Sequence, residues 1–319
     1  MSADGRIFPV NISSVKRFHQ CRTRWLIEWH LNRVPREGAL PLNLGKLVHV
    51  AFEKYLLQEE PSMEKALRAT VSEWIDTLTA QKAAGMLTDQ EFEEGIEAKE
   101  ALDDLWEPLT LWRDQYPVGQ VLEVEEPFEL PHPDDPTVLV RGRPDRMALV
   151  FGKLVHIQNR TLAPGINFGM YTERAKRDYH ELIYAWAMKQ KYPQYQYGGT
   201  LMNLIRKLKY RAKPTKNCPE GKILHSTDEI FGQFMVPMMD HQIGLAMTNL
   251  LYDANEMRRV VQQYEEAKII PSPNRQLDGG PYGNKIDPYF NVFMGKYSVY
   301  DDTFFKEKED LYAAATDES

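Results

Sequence analysis

The stretch from Val138 to Thr161, VLVRGRPDRMALVFGKLVHIQNRT, constrains this chain more than any other. Apolar and polar residues alternate along it at the period of a strand, and Phe151-Gly152 interrupts the alternation where a short turn would sit. The spacing predicts two strands joined by that turn. Asp145 follows Gly142-Arg143-Pro144 on the first strand, and Gln158-Asn159-Arg160 lies near the end of the second. Because side chains alternate, His156, Gln158 and Arg160 are expected on one face and Val155, Ile157 and Asn159 on the other.

The flanking segments give this hairpin a setting. Asn11-Ile12-Ser13-Ser14 offers caps for a helix start, and Val15, Phe18, Cys21 or Arg22, Trp25 and Trp29 follow at helical spacing. Lys16, Arg17, Arg22 and Arg24 fill the other face, either as a solvated basic surface or as contacts to a phosphate backbone. A second helix opens near Asn43-Leu44-Gly45 and sets His49 and Glu53, four apart, on one face. Residues 62–118 read as two long charged helices, which Pro117 and Gly119 bring to an end.

From Val121 the period becomes that of strands: VLEVEEPFEL, TVLVRGRPDRMALV and KLVHIQNRTL are three candidates. Asp178 to Lys191, DYHELIYAWAMKQK, is an amphipathic helix, and Tyr197 to Ile205 reads as a further buried strand. That strand leads into the densest basic segment, which holds Arg206, Lys207, Lys209, Tyr210 and Arg211 and ends at Lys216. A long helix is expected through Met235–Lys268, then an irregular tail rich in Pro, Gly and Asn. This order predicts an α/β (α+β) fold in a single domain over 1–319. Helices flank a central mixed sheet, with a helical insertion at about 60–118 and a C-terminal helix and tail at about 230–319.

Composition sets limits on that reading. No apolar run approaches the ~20 residues of a spanning helix, and MSADGRIFPV lacks the charged-then-apolar pattern of a secretory signal. Two cysteines, Cys21 and Cys218, are too few for a disulfide framework, so a reducing bacterial or phage-infected cytoplasm is the expected location. A net charge of −7 disfavours non-specific nucleic-acid binding by the whole surface and leaves room for a local basic groove.

Together these pieces resemble the PD-(D/E)XK nuclease superfamily, specifically the RecB-like branch of phage-encoded exonucleases and CRISPR-adaptation nucleases. The match runs through Ser14, Phe18 and Cys21 on the first helix and Leu44, Gly45 and His49 on the second. It continues with Gly142, Arg143, Pro144 and Asp145, then Gln158, Asn159, Arg160 and Thr161 where the family has acid-x-Lys-Thr, and ends at His180 and Tyr184 where it has Gln-x-x-x-Tyr. The resemblance implies a restriction-endonuclease-like core. It also implies Asp145, Gln158 and Arg160 at the catalytic positions and His49, Asp145 and Gln158 at the metal positions. His180, Tyr184, Arg206, Lys207, Lys209, Tyr210 and Arg211 would then meet DNA, with Tyr210 as an exposed aromatic able to stack on a base. Mg²⁺ or Mn²⁺ is the implied ion, because hard oxygen ligands and a divalent charge offset the phosphodiester's developing negative charge.

The chain departs from the pattern at its most sensitive points. Gln158 offers a neutral carbonyl oxygen and removes a full negative charge from the metal site. Arg160 keeps the positive charge and can hold a phosphate through two hydrogen bonds, but it cannot act as a base. Glu53, Glu125 or Glu126 could supply a substitute carboxylate, whereas Lys153 sits at the wrong end of its strand to replace a lysine. An iron–sulfur cluster, present in some of the branch, needs thiolates that the tail after Pro271-Ser272-Pro273-Asn274 does not contain. Three readings follow: a fold that binds or positions DNA without cutting, an active metal-dependent DNA exonuclease or endonuclease with a rearranged site, or a structural component that binds a protein partner.

Overall fold

A computed structural model describes residues 6–35, 44–57, 62–85, 87–115, 119–212 and 220–271, with 215, 216, 218, 292, 298, 300 and 305–307 in addition. The expected helix start at Asn43 and most of the Pro/Gly/Asn-rich tail lie outside the described residues. In chain order the elements begin with β1 (Phe8–Asn11), α1 (Ile12–Gln20), α2 (Arg22–Trp25), a π-helical turn (Leu26–His30) and β2 (Arg33–Pro35). Next come α3 (Leu44–Leu56), α4 (Met63–Ala83), α5 (Asp89–Gln115), β3 (Gln120–Val124), β4 (Phe128–His132), β5 (Asp135–Gly142), β6 (Arg146–Val150) and β7 (Lys153–Leu162). The rest are α6 (Phe168–Ala175), α7 (Tyr179–Lys191), β8 (Tyr197–Arg206), α8 (Thr227–Ile230), β9 (Phe231–Val236), α9 (Asp240–Ala267) and β10 (Phe305–Glu307).

The chain forms two compact units, each assembled from separate stretches. The first comprises Met1–Gly38, Pro127–Arg143 and Asp240–Ser319. Its mixed sheet has the order β1-β5-β4, with β1 parallel and β4 antiparallel to β5. Gly142 ends β5 where an added Cβ would come within 2.8 Å of both Ile12 Cδ1 and the Phe128 ring, so packing at this point requires glycine. Arg258 of α9 donates to Asp135 Oδ2 and Thr137 Oγ1 of β5, at 2.9 and 2.6 Å.

The second unit, Ala39–Glu126 with Pro144–Met239, holds the five-stranded sheet β3-β6-β7-β8-β9. Only β7 and β8 run parallel. Helices cover both faces of this sheet. Leu47, Val48 and Phe52 of α3, with Leu105 and Trp112 of α5, pack on Ile205 and Phe231 of one face. On the other, Tyr184 of α7 meets His156 and Phe168 of α6 meets Phe234. Burying each large apolar side chain contributes roughly 1.5–3 kcal/mol, which outweighs the mixed local propensities of α5.

The structure corrects several expectations. The Val138–Thr161 stretch contributes three strands rather than two, because the chain leaves the ladder at Arg143–Asp145, where Pro144 has no N–H to give. VLEVEEPFEL likewise splits at Glu125–Pro127 into β3 and β4, which belong to different sheets. The expected continuous N-terminal helix breaks at Cys21, whose backbone is extended and whose sulfur accepts the Arg24 N–H. Met235 lies in β9, and the long helix begins only at Asp240, because Pro237 follows the strand.

Candidate metal centre

The site starts from a mismatch in strand length. β6 begins at Arg146, opposite Ile157, while β7 continues to Leu162. Two residues past the end of that pairing, Asn159 has no β6 residue opposite it. Asp145 Oδ2 accepts the Asn159 N–H at 2.8 Å, and His49 Nε2 lies 3.0 Å from the Asn159 carbonyl oxygen. A carbonyl only accepts, so Nε2 carries the proton and Nδ1 of a neutral ring presents its lone pair. That Nδ1 lies 3.7 Å from Asp145 Oδ2 and 3.7 Å from Glu125 Oε1.

Glu125 arrives by an irregular route. Val124 pairs with Arg146, the Glu125 N–H then donates to the Asp145 carbonyl at 3.1 Å, and Glu125 adopts a positive φ of 50°. Ligand atoms from His49, Glu125 and Asp145 all lie within 4.8 Å of one another, and the three residues are half-buried. One imidazole and two carboxylates fit a hard or borderline divalent ion such as Mg²⁺ or Mn²⁺. Burial by itself would lower the His49 pKa. The Glu125 hydrogen bond and the charges of Asp145 and Glu125 outweigh it and hold the pKa above its usual value.

The remaining expected site residues are distributed around this cluster. Gln158 is 2 % exposed, and its amide oxygen has no hydrogen-bond partner among the described residues. Arg160 is half-buried, with Nη2 3.6 Å from Glu181 Oε1. Glu181 and His156, neither among the expected site residues, are buried together with Glu181 Oε2 3.7 Å from His156 Nδ1. Burial drives Glu181 up to about 8, more than Arg160 beside it offsets, and drives His156 down to about 4. Both are therefore largely neutral near pH 7. In the sequence, Glu181 looks like an ordinary first-turn acid after the Asp178 N-cap, which the helix dipole favours and which conceals its burial.

His180 Nδ1 lies 4.0 Å from Asp178 Oδ1, and Tyr184 is buried with its ring 5.0 Å from that of His156. Of the three substitute carboxylates, Glu125 joins the cluster, while Glu126 is exposed and Glu53 is not among the clustered residues. In the basic segment, the Arg206 guanidinium covers the Phe168 ring at 4.1 Å, and Lys207 and Lys209 are exposed. Arg211 donates twice to Glu107, at 2.8 and 2.5 Å. Tyr210 is only 6 % exposed and packs into the core with α3 and α5, so it is not the exposed stacking aromatic that was expected. On the N-terminal helices, Arg17 and Arg24 pair with Glu28 and Arg22 pairs with Glu256, in keeping with a solvated, charge-paired surface.

Mixed sheets flanked by helices, with a carboxylate- and histidine-lined site where a strand outruns its neighbour, define an α/β protein of the restriction-endonuclease-like type. The family model of the PD-(D/E)XK nuclease superfamily matches residues 9–270, and the chain belongs to that superfamily. No curated protein matches it. Among the described residues no helix is long and apolar enough to cross a membrane.

Proposed function

We propose that this chain is a divalent-metal-dependent deoxyribonuclease in which Glu125 supplies the carboxylate that Gln158 lacks. The convergence of His49, Glu125 and Asp145 carries this reading. An Mg²⁺ or Mn²⁺ ion held there would offset phosphate charge and lower the pKa of a bound water. The chain's own residues supply the rest. Arg160 stays charged: burial opposes the guanidinium, and the nearby negative charge, that of Asp145 foremost, outweighs it. With Glu181 largely protonated near pH 7, the Arg160 charge is left for a phosphate oxygen, which it holds without acting as a base. Lys207 and Lys209 extend the cationic track beyond β8.

The test is cleavage of linear and circular DNA by the full chain in Mn²⁺ or Mg²⁺. Asp145→Ala should abolish cutting, and Glu125→Gln should slow it by roughly 100-fold or more, since the lost charge stabilisation amounts to several kcal/mol. Full activity in Glu125→Gln would return the ligand role to Gln158. A second reading rests on the neutral Gln158: DNA is bound without being cut. Salt-sensitive DNA binding with no cleavage in either metal would establish that reading instead.

A further inference from the structure

On the sheet face that carries Val155, Ile157 and Leu201, three amides line up across three strands. The register sets Asn159 of β7 beside Asn203 of β8, and Asn203 beside Gln233 of β9. Gln233 Nε2 donates to Asn203 Oδ1 at 2.9 Å, and Asn203 Nδ2 donates to Asn159 Oδ1 at 2.9 Å. Asn159 is 4 % and Asn203 1 % exposed. Apolar clusters flank the row, with Val155, Ile157 and Leu201 on one side and Ile205 and Phe231 on the other. Apolar residues would fill this seam with less desolvation, since a neutral hydrogen bond nets only about 1 kcal/mol. What amides add is restraint: each side chain is tied to the next at a fixed strand register. At its inner end stands Asn159, whose N–H meets Asp145 and whose carbonyl meets His49.

We infer that Asn203 and Gln233 are positioning residues of the metal centre, acting through the Asn159 main chain to hold the Asp145 carboxylate and the Nε2–H tautomer of His49. Locking the Asn159 side chain limits rotation of the two peptide groups at its Cα. Both ligand contacts depend on those groups, so slack in the ladder is felt by His49 and Asp145 together. The inference rests on the metal-dependent reading above.

The experiment titrates Mn²⁺ into the full chain by calorimetry and electron paramagnetic resonance, beside Asn203→Leu, Gln233→Leu and a packing control, Met202→Ala. Residue 202 is buried on the opposite face of β8. Loss of the group behind a metal ligand weakens binding by about 10–100-fold. That loss is expected for Asn203→Leu, with a smaller one in the same direction for Gln233→Leu. Met202→Ala should lower the melting temperature and leave affinity within about twofold. A folded Asn203→Leu chain with unchanged affinity and Mn²⁺ spectrum overturns the inference, as does an equal loss in Met202→Ala. Should Asn203→Leu fail to fold, the half-buried Gln233 position decides: wild-type binding there overturns it. Absence of Mn²⁺ binding by the unaltered chain overturns the metal centre and this inference together, an outcome distinct from equal binding by every variant.

Discussion

Glu125 ends β3 in the left-handed region at φ 50°, a conformation that costs a residue with a Cβ roughly 1–2 kcal/mol. The same bend turns its carboxylate toward Asp145 and His49, so local strain and ligand placement arise from one dihedral. Glu125→Gly should therefore melt at a higher temperature, by on the order of 1 kcal/mol in stability, while losing Mn²⁺ affinity; unchanged affinity in a calorimetric titration would remove Glu125 from the site. Glu181 is the second informative residue. Arg160, Asp178, Asp145 and His156 lie around it, and its pKa rises from 4.5 to about 8 on folding, chiefly through burial. The unfolded chain gives up this proton first, so its contribution to stability is full below pH 4.5 and is lost as pH rises to about 8. Urea denaturation at several pH values should show that decline, on the order of 5 kcal/mol at most, and Glu181→Gln should flatten it. His156 acts in the opposite sense: its folded pKa of about 4 removes stability as pH falls below 6.5.

At the scale of elements, the segment after β8 shows how neighbouring cations acquire different roles. Arg211 is tied to Glu107 of α5, Tyr210 is buried, and Arg206 lies on Phe168, while Lys207 and Lys209 face solvent. A strand leaving a sheet alternates its side chains, so adjacent basic residues cannot all face the same partner. Neutralising Lys207 and Lys209 together should lower the slope of log binding constant against log salt for DNA by about two, whereas Arg211→Ala should leave it in place. Equal slopes for the lysine variant and the parent chain would remove the two lysines from the DNA contact. The Arg211–Glu107 pair is screened by solvent, so its loss should not unfold the insertion helices.

For the whole molecule, the net charge of −7 confines any attraction for phosphate to a local patch. Much of the acidic excess lies on α5, outside the cluster of His49, Glu125 and Asp145. Each compact unit gathers stretches far apart in the chain, and the links at Glu125–Pro127 and Arg143–Asp145 fall where the chain passes between their sheets. Gly142 closes one sheet by fitting against Ile12 and Phe128, while Asp145, three residues further on, belongs to the other unit.

By itself the sequence determined the elements that carry strong periodicity: α4, α5, α7, β7 and β8 follow from apolar spacing alone. It also determined the superfamily, which the family model shows, and it set His49, Asp145 and Arg160 along the chain as the chemistry available. Glu125 was legible only as one of three candidate carboxylates. Choosing it required the φ of one residue and the point at which β6 stops pairing with β7. Only the tertiary structure decided that Tyr210 is core, that Glu181 is a buried acid, and that Asn159, Asn203 and Gln233 form one row. Burial and strand register depend on residues distant in the chain, and a local pattern holds no record of which distant residues those are.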